Sequence, residues 1–264
     1  YQGGVALPYR YNQTQNGFDI DLDYIIKSIS TKTKILILNN YQNPMSASSS
    51  EEELKELSKL AIKYDLWVLS DDAYYEIRYS QDPPKSILNF PGMKQRTVIL
   101  YTFSKKYAMT GWRIGASIGP ESLIKHMARF NINDESCTNH FIQHALASVL
   151  NDSNDYGEEI IKKLIKRRDL CLKKLNSIAD LDISTPESTF YLFPNVSKIM
   201  GKKGYDNLEK FRIDVLKNTG VSFCTREHFG TPFLNEEEQY IRFAYSGITR
   251  KEISEGLDLS LIHI

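Results

Sequence analysis

The chain has 264 residues, of which 41% are hydrophobic and 25% are charged, which predicts an ordinary soluble globular protein with one large or two modest domains. Its 33 basic residues balance its 33 acidic residues, and no apolar run is long enough to span a membrane, so neither nucleic acid nor a membrane is an expected partner. Cys137, Cys171 and Cys224 lack the spacing of a zinc or redox site, which favours unpaired thiols in a reducing, cytoplasmic setting.

The first predicted elements are a helix and a buried strand. Residues 19–29 carry apolar side chains at helical spacing, with Asp19 or Asp21 as the cap. Residues 35–38 form an apolar run between polar residues, which is typical of a strand buried on both faces. This strand leads to Asn43, which a proline follows, at the edge where open α/β sheets bind ligands. A simple turn residue is the common alternative for such an asparagine.

A second helix and a second strand follow. Residues 50–53 form a capping box, and the apolar residues after it recur on one face, which predicts an amphipathic helix. Residues 67–70 are typical of another buried strand, with Asp71, Asp72 and Tyr74 at its C-terminal end. Adjacent acids at such a place most often cap a helix or lie in a loop. Their position alone therefore does not separate a structural acid from a functional one.

The most informative stretch follows a third buried strand at residues 97–101. Residues 102–115 read TFSKKYAMTGWRIG, and residues 113–119 predict a further strand. A lysine next to a hydroxyl, with an arginine eight residues later, could hold a phosphate and present an amine to a carbonyl. A solvated strand edge is the common alternative, since lysine is usually exposed. We expect the polar residues at the three strand ends to share one crevice.

Two helices are predicted next, at residues 121–130 and 139–150. His140 and His144 are four positions apart on the second helix, which is the spacing of a possible metal pair. No third ligand is evident in the sequence. We therefore interpret both as ordinary helix residues and expect no metal.

A long helix at residues 156–178, about 35 Å at 1.5 Å per residue, is the expected connector between two domains. The predicted domains are residues 1–153 and 154–264, and the second has short strands and helices in α+β style. In its last strand, alternation places Arg242 on the same side as small residues, which leaves room for a partner. A surface salt bridge is the alternative role for this arginine.

The lysine stretch resembles the cofactor-lysine motif of the class I and II aminotransferases, the fold type I enzymes that use pyridoxal 5′-phosphate (PLP). The shared pattern is Ser-Lys, an aromatic residue and then Met-Thr-Gly-Trp-Arg-Ile-Gly. The resemblance implies an α/β fold in which a mostly parallel sheet is sandwiched by helices in a large, here incomplete, PLP-binding domain. It also implies a smaller α+β C-terminal domain, PLP as the cofactor and a homodimer for the whole protein.

The resemblance implies a role for each polar residue near the lysine. Lys105 would be the catalytic residue, forming a Schiff base with PLP and then acting as general base and acid. Ser104 and Arg113 would hold the cofactor phosphate. Asp71 would keep the pyridine nitrogen protonated, because a fixed carboxylate stabilises the cation. Tyr74 would hydrogen-bond the phenolic oxygen of the ring.

Two further residues take substrate roles by the same resemblance. Asn43 would contact the phenolic oxygen and the substrate, and Arg242 would clamp the substrate α-carboxylate in a bidentate manner. The sequence departs from the family pattern at three places, which are Met45-Ser46 in place of Thr-Gly, Ser188-Thr189 in place of Gly-Ala, and residues 225–230 in place of Pro-Gly-Ser. In the last of these, Arg226 and His228 either tune side-chain specificity or belong to a loop surface, and the sequence does not decide between the two.

The implied function is transfer of an amino group between an L-amino acid and a 2-oxo acid. Two alternatives stay open at this point. The same core serves other PLP enzymes, such as β-lyases that cleave carbon–sulfur bonds, and an aminotransferase-like module can be the PLP-sensing effector domain of a transcription regulator. The intact Thr-Gly-Trp-Arg run favours an enzyme.

The two ends of the chain carry expectations of their own. The resemblance aligns Tyr1 with a point inside the large domain, so we expect a missing N-terminal section that holds further cofactor contacts, and the fragment itself could be inactive. Residues 253–257 fit the start of a last helix, whereas residues 259–264 are not expected to continue it. We interpret that tail as a possible non-native remnant.

Overall fold

A computed structural model describes residues 3–15 and 17–263 of the chain, with their side chains as far as residue 259. The described residues fall into two compact units. Unit 1 holds those within Tyr1–Thr14, Phe18–Tyr41 and Ser48–Glu158, and unit 2 holds those within Gln15–Gly17, Gln42–Ala47 and Glu159–Ile264. Two short pieces of the N-terminal half of the chain thus belong to the unit built mainly from its C-terminal half.

Unit 1 is built on a four-stranded sheet. Its elements are β1 (Tyr11–Gln13), β2 (Phe18–Ile20), α1 (Leu22–Ser28), β3 (Ile35–Leu38), α2 (Glu51–Lys63), β4 (Trp67–Asp71), β5 (Thr97–Thr102), β6 (Gly115–Ile118), α3 (Glu121–Asp134) and α4 (His140–Leu150), with 3₁₀ helices at Ile87–Asn89 and Thr110–Trp112. The sheet order is β3-β4-β5-β6. The first three strands run parallel and β6 runs antiparallel to β5, which confirms the predicted α/β class with a mostly parallel sheet.

The helices of unit 1 begin where local signals predict. Asp21 caps α1, because its Oδ1 accepts a hydrogen bond from Tyr24 N at 2.9 Å. Ser50 and Glu53 form the capping box of α2, with Glu53 N donating to Ser50 Oγ at 3.1 Å and Ser50 N to Glu53 Oε2 at 2.7 Å. Glu53 Oε1 also accepts from Ile20 N at 2.6 Å. The capping box therefore ties α2 to β2 as well as starting the helix.

The prediction that residues 35–38 are buried on both faces is wrong. Ile35 and Ile37 are 57% and 58% exposed, whereas Leu36 and Leu38 are buried. β3 is the edge strand of the sheet, and its buried side chains join a core that includes Leu57 of α2. Among the described residues, only one face of this strand receives apolar partners, so the alternation is that of a half-buried strand.

Unit 2 contains a small antiparallel sheet flanked by helices. Its elements are β7 (Tyr191–Leu192), α6 (Ser197–Lys203), α7 (Leu208–Thr219), β8 (Cys224–Thr225), a 3₁₀ helix (Arg226–Phe229), β9 (Ile241–Ala244) and α8 (Arg250–His263), and α5 (Glu158–Leu175) leads into it. The sheet order is β7-β9-β8. β9, which carries Arg242, is therefore its central strand. Within the part of the chain that is described, no helix has both the length and the apolar character needed to cross a bilayer.

Several boundaries differ from the predicted ones, and three of them concern the connector, the lysine loop and the C-terminal end. The connector α5 is shorter than residues 156–178, because tight turns follow it, with Ser177 N donating to Lys174 O at 3.1 Å. Arg113 lies before β6 rather than within it, in a left-handed conformation with φ of 54°. The last helix continues past Leu259 to His263; neither glycine nor proline interrupts the sequence after Gly256. Ile264 lies outside the described residues.

Candidate active site

The ends of β4 and β5 place the polar residues of unit 1 at one edge of the sheet. Asp71 ends β4 and pairs in register with Leu100 of the parallel strand β5, which ends at Thr102. Lys105 follows that strand, and its Nζ lies 5.5 Å from the ring centroid of Tyr74. Parallel neighbours end at the same edge of a sheet, so the structure brings the predicted lysine, tyrosine and aspartate to one place.

The lysine loop is held by its own turns. Ser104 N donates to Thr102 Oγ1 at 3.2 Å, and Met109 N donates to Ser104 O at 3.0 Å. Phe103 and Ile114, at the two ends of the loop, are buried together with residues of α4. The apolar residues of the motif therefore anchor the loop in the core, while Lys105 stays half-buried at the strand end.

The two adjacent acids after β4 have different surroundings. Asp71 accepts a hydrogen bond from Ala73 N at 3.2 Å, and it makes no ion pair with any side chain in the described ranges. Asp72 is buried and accepts from the Ser70 hydroxyl at 2.8 Å. Burial, assisted by the neighbouring charge of Asp71, raises the pKa of Asp72 to about 6. Asp71 is thus the carboxylate that is available to a ligand cation.

Ser104 and Arg113 do not contact each other. Ser104 is buried, and across residues 3–15 and 17–263 its hydroxyl has no hydrogen-bond partner. Arg113 is exposed and its Nη1 donates to Thr110 O at 3.0 Å. Arg113 forms no ion pair with the carboxylates that the structure describes. Both side chains therefore keep donors that an anionic ligand could accept.

Lys106, next to the predicted catalytic lysine, lies between two acids. Its Nζ is 3.4 Å from Glu76 Oε2 and 3.5 Å from Asp155 Oδ1. Burial lowers the pKa of Lys106 and the two carboxylates raise it, with a net upward shift. A Cβ atom at Gly157 would lie 2.8 Å from Lys106 Cγ, so the glycine makes room for this side chain. The ion pairs tie the lysine loop to the segment before α5, and no local sequence pattern predicts them.

In unit 2 the side chain of Arg242 lies between two aromatic rings. Its Cζ is 4.1 Å from the ring centroid of Tyr191 and 4.7 Å from that of Phe229. Nη1 donates to Asn43 Oδ1 at 2.8 Å and Nη2 to Cys224 Sγ at 3.5 Å. Nε is buried without a hydrogen-bond partner, and Arg242 makes no ion pair within the described part of the chain. The alternative of a surface salt bridge therefore finds no acidic partner for Arg242 among these residues.

Asn43 reaches Arg242 because the segment Gln42–Ala47 folds as a turn within unit 2. Gln42 N donates to Ala47 O at 2.8 Å, and the Asn43–Pro44 peptide bond is cis. Of the predicted site residues, the structure brings Asn43 together with Arg242 in unit 2. The others, namely Asp71, Tyr74, Ser104, Lys105 and Arg113, belong to unit 1.

Comparison with known proteins identifies the family. The family profile described as "Aminotransferase class I and II" matches residues 1–259. The chain belongs to the class I and II aminotransferase family. The likeness inferred from the lysine motif is thereby confirmed over nearly the whole chain.

Relatives of this aminotransferase chain differ in their named substrates. It is 32% identical over 247 residues to aromatic-amino-acid aminotransferase 2 of Thermococcus litoralis, covering 92% of this chain and 60% of the relative. It is 30% identical to the asparagine–oxo-acid transaminase of Streptococcus mutans, covering 94% of this chain and 62% of the relative. The chain thus spans about three-fifths of the length of these curated relatives.

Solved structures agree with the fold of this aminotransferase chain. The aromatic aminotransferase of Pyrococcus horikoshii has a TM-score of 0.83 at 30% identity, covering 92% of this chain and 63% of that one. The alanine aminotransferase of Pyrococcus furiosus has a TM-score of 0.85 at 28% identity, covering 99% of this chain and 65% of that one. These likenesses extend across the sheet of unit 1 and the small sheet of unit 2.

The residues of this chain fit PLP, the cofactor that the family implies. Lys105 offers an amine, and Asp71 offers a carboxylate without a cationic partner among the described residues, which suits a protonated ring nitrogen. Ser104 and Arg113 keep donors for a phosphate.

Groups of three or more metal-ligating side chains are not found in the described ranges. The rings of His140 and His144 lie edge to face, with their centroids 4.6 Å apart.

Sequence reasoning missed the aromatic surroundings of Arg242. Tyr191 and Phe229 lie far from Arg242 in the chain and reach it from β7 and from the 3₁₀ helix after β8. The alternation of β9 indicates which side Arg242 occupies, but it does not indicate what covers that side. Only the pairing of β7 and β8 with β9 brings these rings to the guanidinium.

Proposed function

We propose that the protein is a PLP-dependent aminotransferase that moves an amino group between an L-amino acid and a 2-oxo acid. The observation that carries the proposal is the amine of Lys105 beside Tyr74, at the strand end that also holds the carboxylate of Asp71, which has no cationic partner among the described residues. When bound, PLP supplies an electron-accepting ring that stabilises the negative charge left as the substrate Cα loses its proton. No observation favours the lyase or the regulator alternative.

The residues of unit 1 would bind the cofactor and move the proton. Lys105 Nζ would accept the proton that leaves the substrate Cα and would then act as the proton donor that completes amino transfer, serving first as general base and then as general acid. The carboxylate of Asp71 keeps the ring nitrogen positively charged. The hydroxyl of Tyr74 donates to the phenolic oxygen, and Ser104 and Arg113 hold the phosphate through charge-assisted hydrogen bonds.

The residues of unit 2 would bind the substrate. The guanidinium of Arg242 receives the α-carboxylate, since its planar fork matches a carboxylate in a bidentate manner and no acidic side chain that the structure describes pairs with it. Asn43 accepts a hydrogen bond from Arg242, so its amide nitrogen is left to donate to the substrate. Fixing the substrate in this way restricts the freedom of its α-carbon to rotate.

The test is chemical labelling combined with an amino-transfer assay. The chain is incubated with PLP, reduced with borohydride and digested, and the adduct is expected on Lys105. Amino transfer to 2-oxoglutarate, measured over a panel of L-amino acids with the whole protein, should fall by about 10³-fold or more in Lys105→Ala, because the residue carries the proton. Lys94→Ala, an exposed lysine outside the site, is the matched control.

Three results would contradict the proposal. Label on a residue other than Lys105 removes the assigned amine. Undiminished amino transfer in Lys105→Ala removes its catalytic role. Release of pyruvate from cystathionine without a 2-oxo acid acceptor supports the lyase alternative instead.

Assembly and location are further parts of the proposal. The family resemblance supports a homodimer for the whole protein, which sedimentation analysis of that protein would test. The free thiols of Cys137, Cys171 and Cys224 support a reducing, cytoplasmic compartment. Fractionation of cells that express the tagged whole protein is the corresponding measurement.

A further inference from the structure

An ion pair closes the segment between Arg226 and Glu236 in unit 2. Arg226 Nε lies 2.6 Å from Glu236 Oε1, and Nη2 donates to Oε2 at 2.9 Å. Nη1 donates to the carbonyl of Gly230 at 3.1 Å, and Glu236 Oε2 also accepts from Phe233 N at 3.1 Å. Both charged side chains are only 19% exposed, so this bidentate pair is screened less than an ordinary surface pair.

The closed segment carries one of the rings that cover Arg242. The 3₁₀ helix Arg226–Phe229 starts at the ion-paired arginine and ends at Phe229. Its start is also fixed by Thr225, whose backbone N lies 3.2 Å and hydroxyl 2.7 Å from His228 Nδ1. The placement of Phe229, 4.7 Å from Arg242 Cζ, therefore depends on how this short helix is held.

The two rings change what a ligand of Arg242 meets. Tyr191 and Phe229 lie 4.1 and 4.7 Å from its Cζ, and Nε is buried with no hydrogen-bond partner in the described part of the chain. Rings in such positions exclude water from the guanidinium and reduce its freedom to rotate. A carboxylate that binds there interacts in a lower local dielectric with a cation that is already oriented, which strengthens the ion pair.

We propose that Arg226 is a positioning residue: through its ion pair with Glu236 it holds Phe229 over Arg242 and so raises the affinity of Arg242 for a carboxylate. This inference rests on the proposed role of Arg242 as the substrate clamp. Arg226 does not itself receive a ligand, because all three of its guanidinium nitrogens are engaged within the segment. Arg226 is therefore not expected to bind a second carboxylate on the substrate side chain.

The experiment observes Arg242 directly, in the chain labelled with ¹⁵N-arginine and with 3-phenylpropanoate as the carboxylate probe. The Nε–H resonance, assigned with Arg242→Lys, should be shifted upfield by the two rings before the probe is added. In Arg226→Gln that shift should shrink, and the probe should bind about two- to fivefold more weakly, the size of one cation–π contact. Glu236→Gln and Phe229→Leu should give the same changes.

A matched control and a rescue separate positioning from general damage. Arg168→Gln removes an arginine with 17% exposure that pairs with Asp169 outside the segment, and it should change neither the resonance nor the affinity. The charge-reversed pair, Arg226→Glu with Glu236→Arg, should restore both. Glu236→Gln and the charge-reversed pair decide the question if Arg226→Gln fails to fold.

The outcomes distinguish this inference from the proposed function. If the probe perturbs Arg242 in the unaltered protein but Arg226→Gln leaves resonance and affinity unchanged, Arg226 does not position Phe229. If the probe does not perturb Arg242 at all, the clamp itself fails, and the affinity effect assigned to Arg226 fails with it. The ring shift in the probe-free protein still reports whether the ion pair holds Phe229 in place.

Discussion

Asp72 follows Asp71 at the end of β4 and is 4% exposed, with the Ser70 hydroxyl 2.8 Å from its Oδ1 as its hydrogen-bond donor. Burial, and then the charge of Asp71, raise the pKa of Asp72 from 3.8 to about 6. Between these pH values the folded state keeps a proton that the unfolded state releases. The free energy of unfolding therefore decreases as the pH rises through this window.

Replacing this buried charge should stabilise the protein at neutral pH. Asp72→Asn keeps an acceptor for the Ser70 hydroxyl, so we expect the free energy of unfolding at pH 7.5 to rise by about 2 kcal/mol. At pH values below the pKa of the unfolded state the gain should vanish, since Asp72 is then protonated in both states. Urea denaturation at both pH values measures the difference, with the exposed Asp134→Asn as the control. Equal stability of the variant and the parent at pH 7.5 would contradict this account.

At the residue scale, the sequence predicts the site residues because charged side chains follow the predicted strands. It does not predict which residues contact them. Lys105 and Asp71 stand out because a lysine and a carboxylate directly follow apolar runs. The different surroundings of Asp71 and Asp72 follow from which side of the chain is buried. The rings around Arg242 come from distant segments. Local patterns report local structure, whereas partners depend on tertiary packing.

At the element scale, two departures from the family pattern contact each other. Ser46, in the turn that carries Asn43, donates its hydroxyl hydrogen to Tyr191 O at 2.9 Å, so the 2.6 Å contact with Thr189 Oγ1 is donated by Thr189. Ser188 Oγ donates to Ser46 O at 3.2 Å. Ser46, Ser188 and Thr189 are buried. The turn and β7 are thus joined by hydroxyl groups at three positions where the family pattern has glycine or alanine.

The hydroxyl contact should appear as a coupling energy. Ser46→Ala and Thr189→Val should each lower the free energy of unfolding by about 1–2 kcal/mol, because each leaves a buried polar partner unpaired. The double variant should lose about 1 kcal/mol less than the sum of the single losses, since the shared hydrogen bond can be lost only once. Urea denaturation of the four proteins measures the coupling, with the exposed Ser153→Ala as the control. Strict additivity would show that the two hydroxyls act independently.

Elements whose signals are local were predicted best. The capping box of α2 and the cap of α1 involve residues three positions apart, so the sequence contains the whole signal. The burial of β3 was predicted wrongly because it depends on the strands and helices that flank it, and β3 is an edge strand. Arg113 was placed in a strand because nothing in the apolar run that follows it indicates a left-handed residue.

At the scale of the whole molecule, the residues that are predicted to share one crevice belong to two units. The sequence groups Asn43 with Lys105 and Asp71, because all follow predicted strands. In the structure Asn43 belongs to unit 2, where it accepts a hydrogen bond from Arg242. Lys105 and Asp71 belong to unit 1. The position of a strand end does not show that the six-residue turn after it, Gln42–Ala47, belongs to a different unit from the strand itself.

This division predicts that cofactor capture and carboxylate capture can be separated by mutation. Arg242→Gln should leave PLP labelling of Lys105 unchanged, because Lys105, Asp71 and Ser104 all belong to unit 1. The same variant should weaken binding of 3-phenylpropanoate at least about tenfold, the size of a lost hydrogen bond to a charged group. Lys105→Ala should abolish the label and preserve the response of the Arg242 resonance to the probe.

Two measurements are made on the same four proteins, namely the parent, both single variants and the double variant. Mass spectrometry gives the labelling yield, and the NMR signals of 3-phenylpropanoate itself give its affinity, since two of the variants lack the Arg242 resonance. Independent units require the double variant to show only the sum of the two losses. If Arg242→Gln reduced the labelling of Lys105 as much as Lys105→Ala does, the carboxylate clamp would be needed for cofactor capture. The assignment of cofactor binding to unit 1 alone would then be wrong.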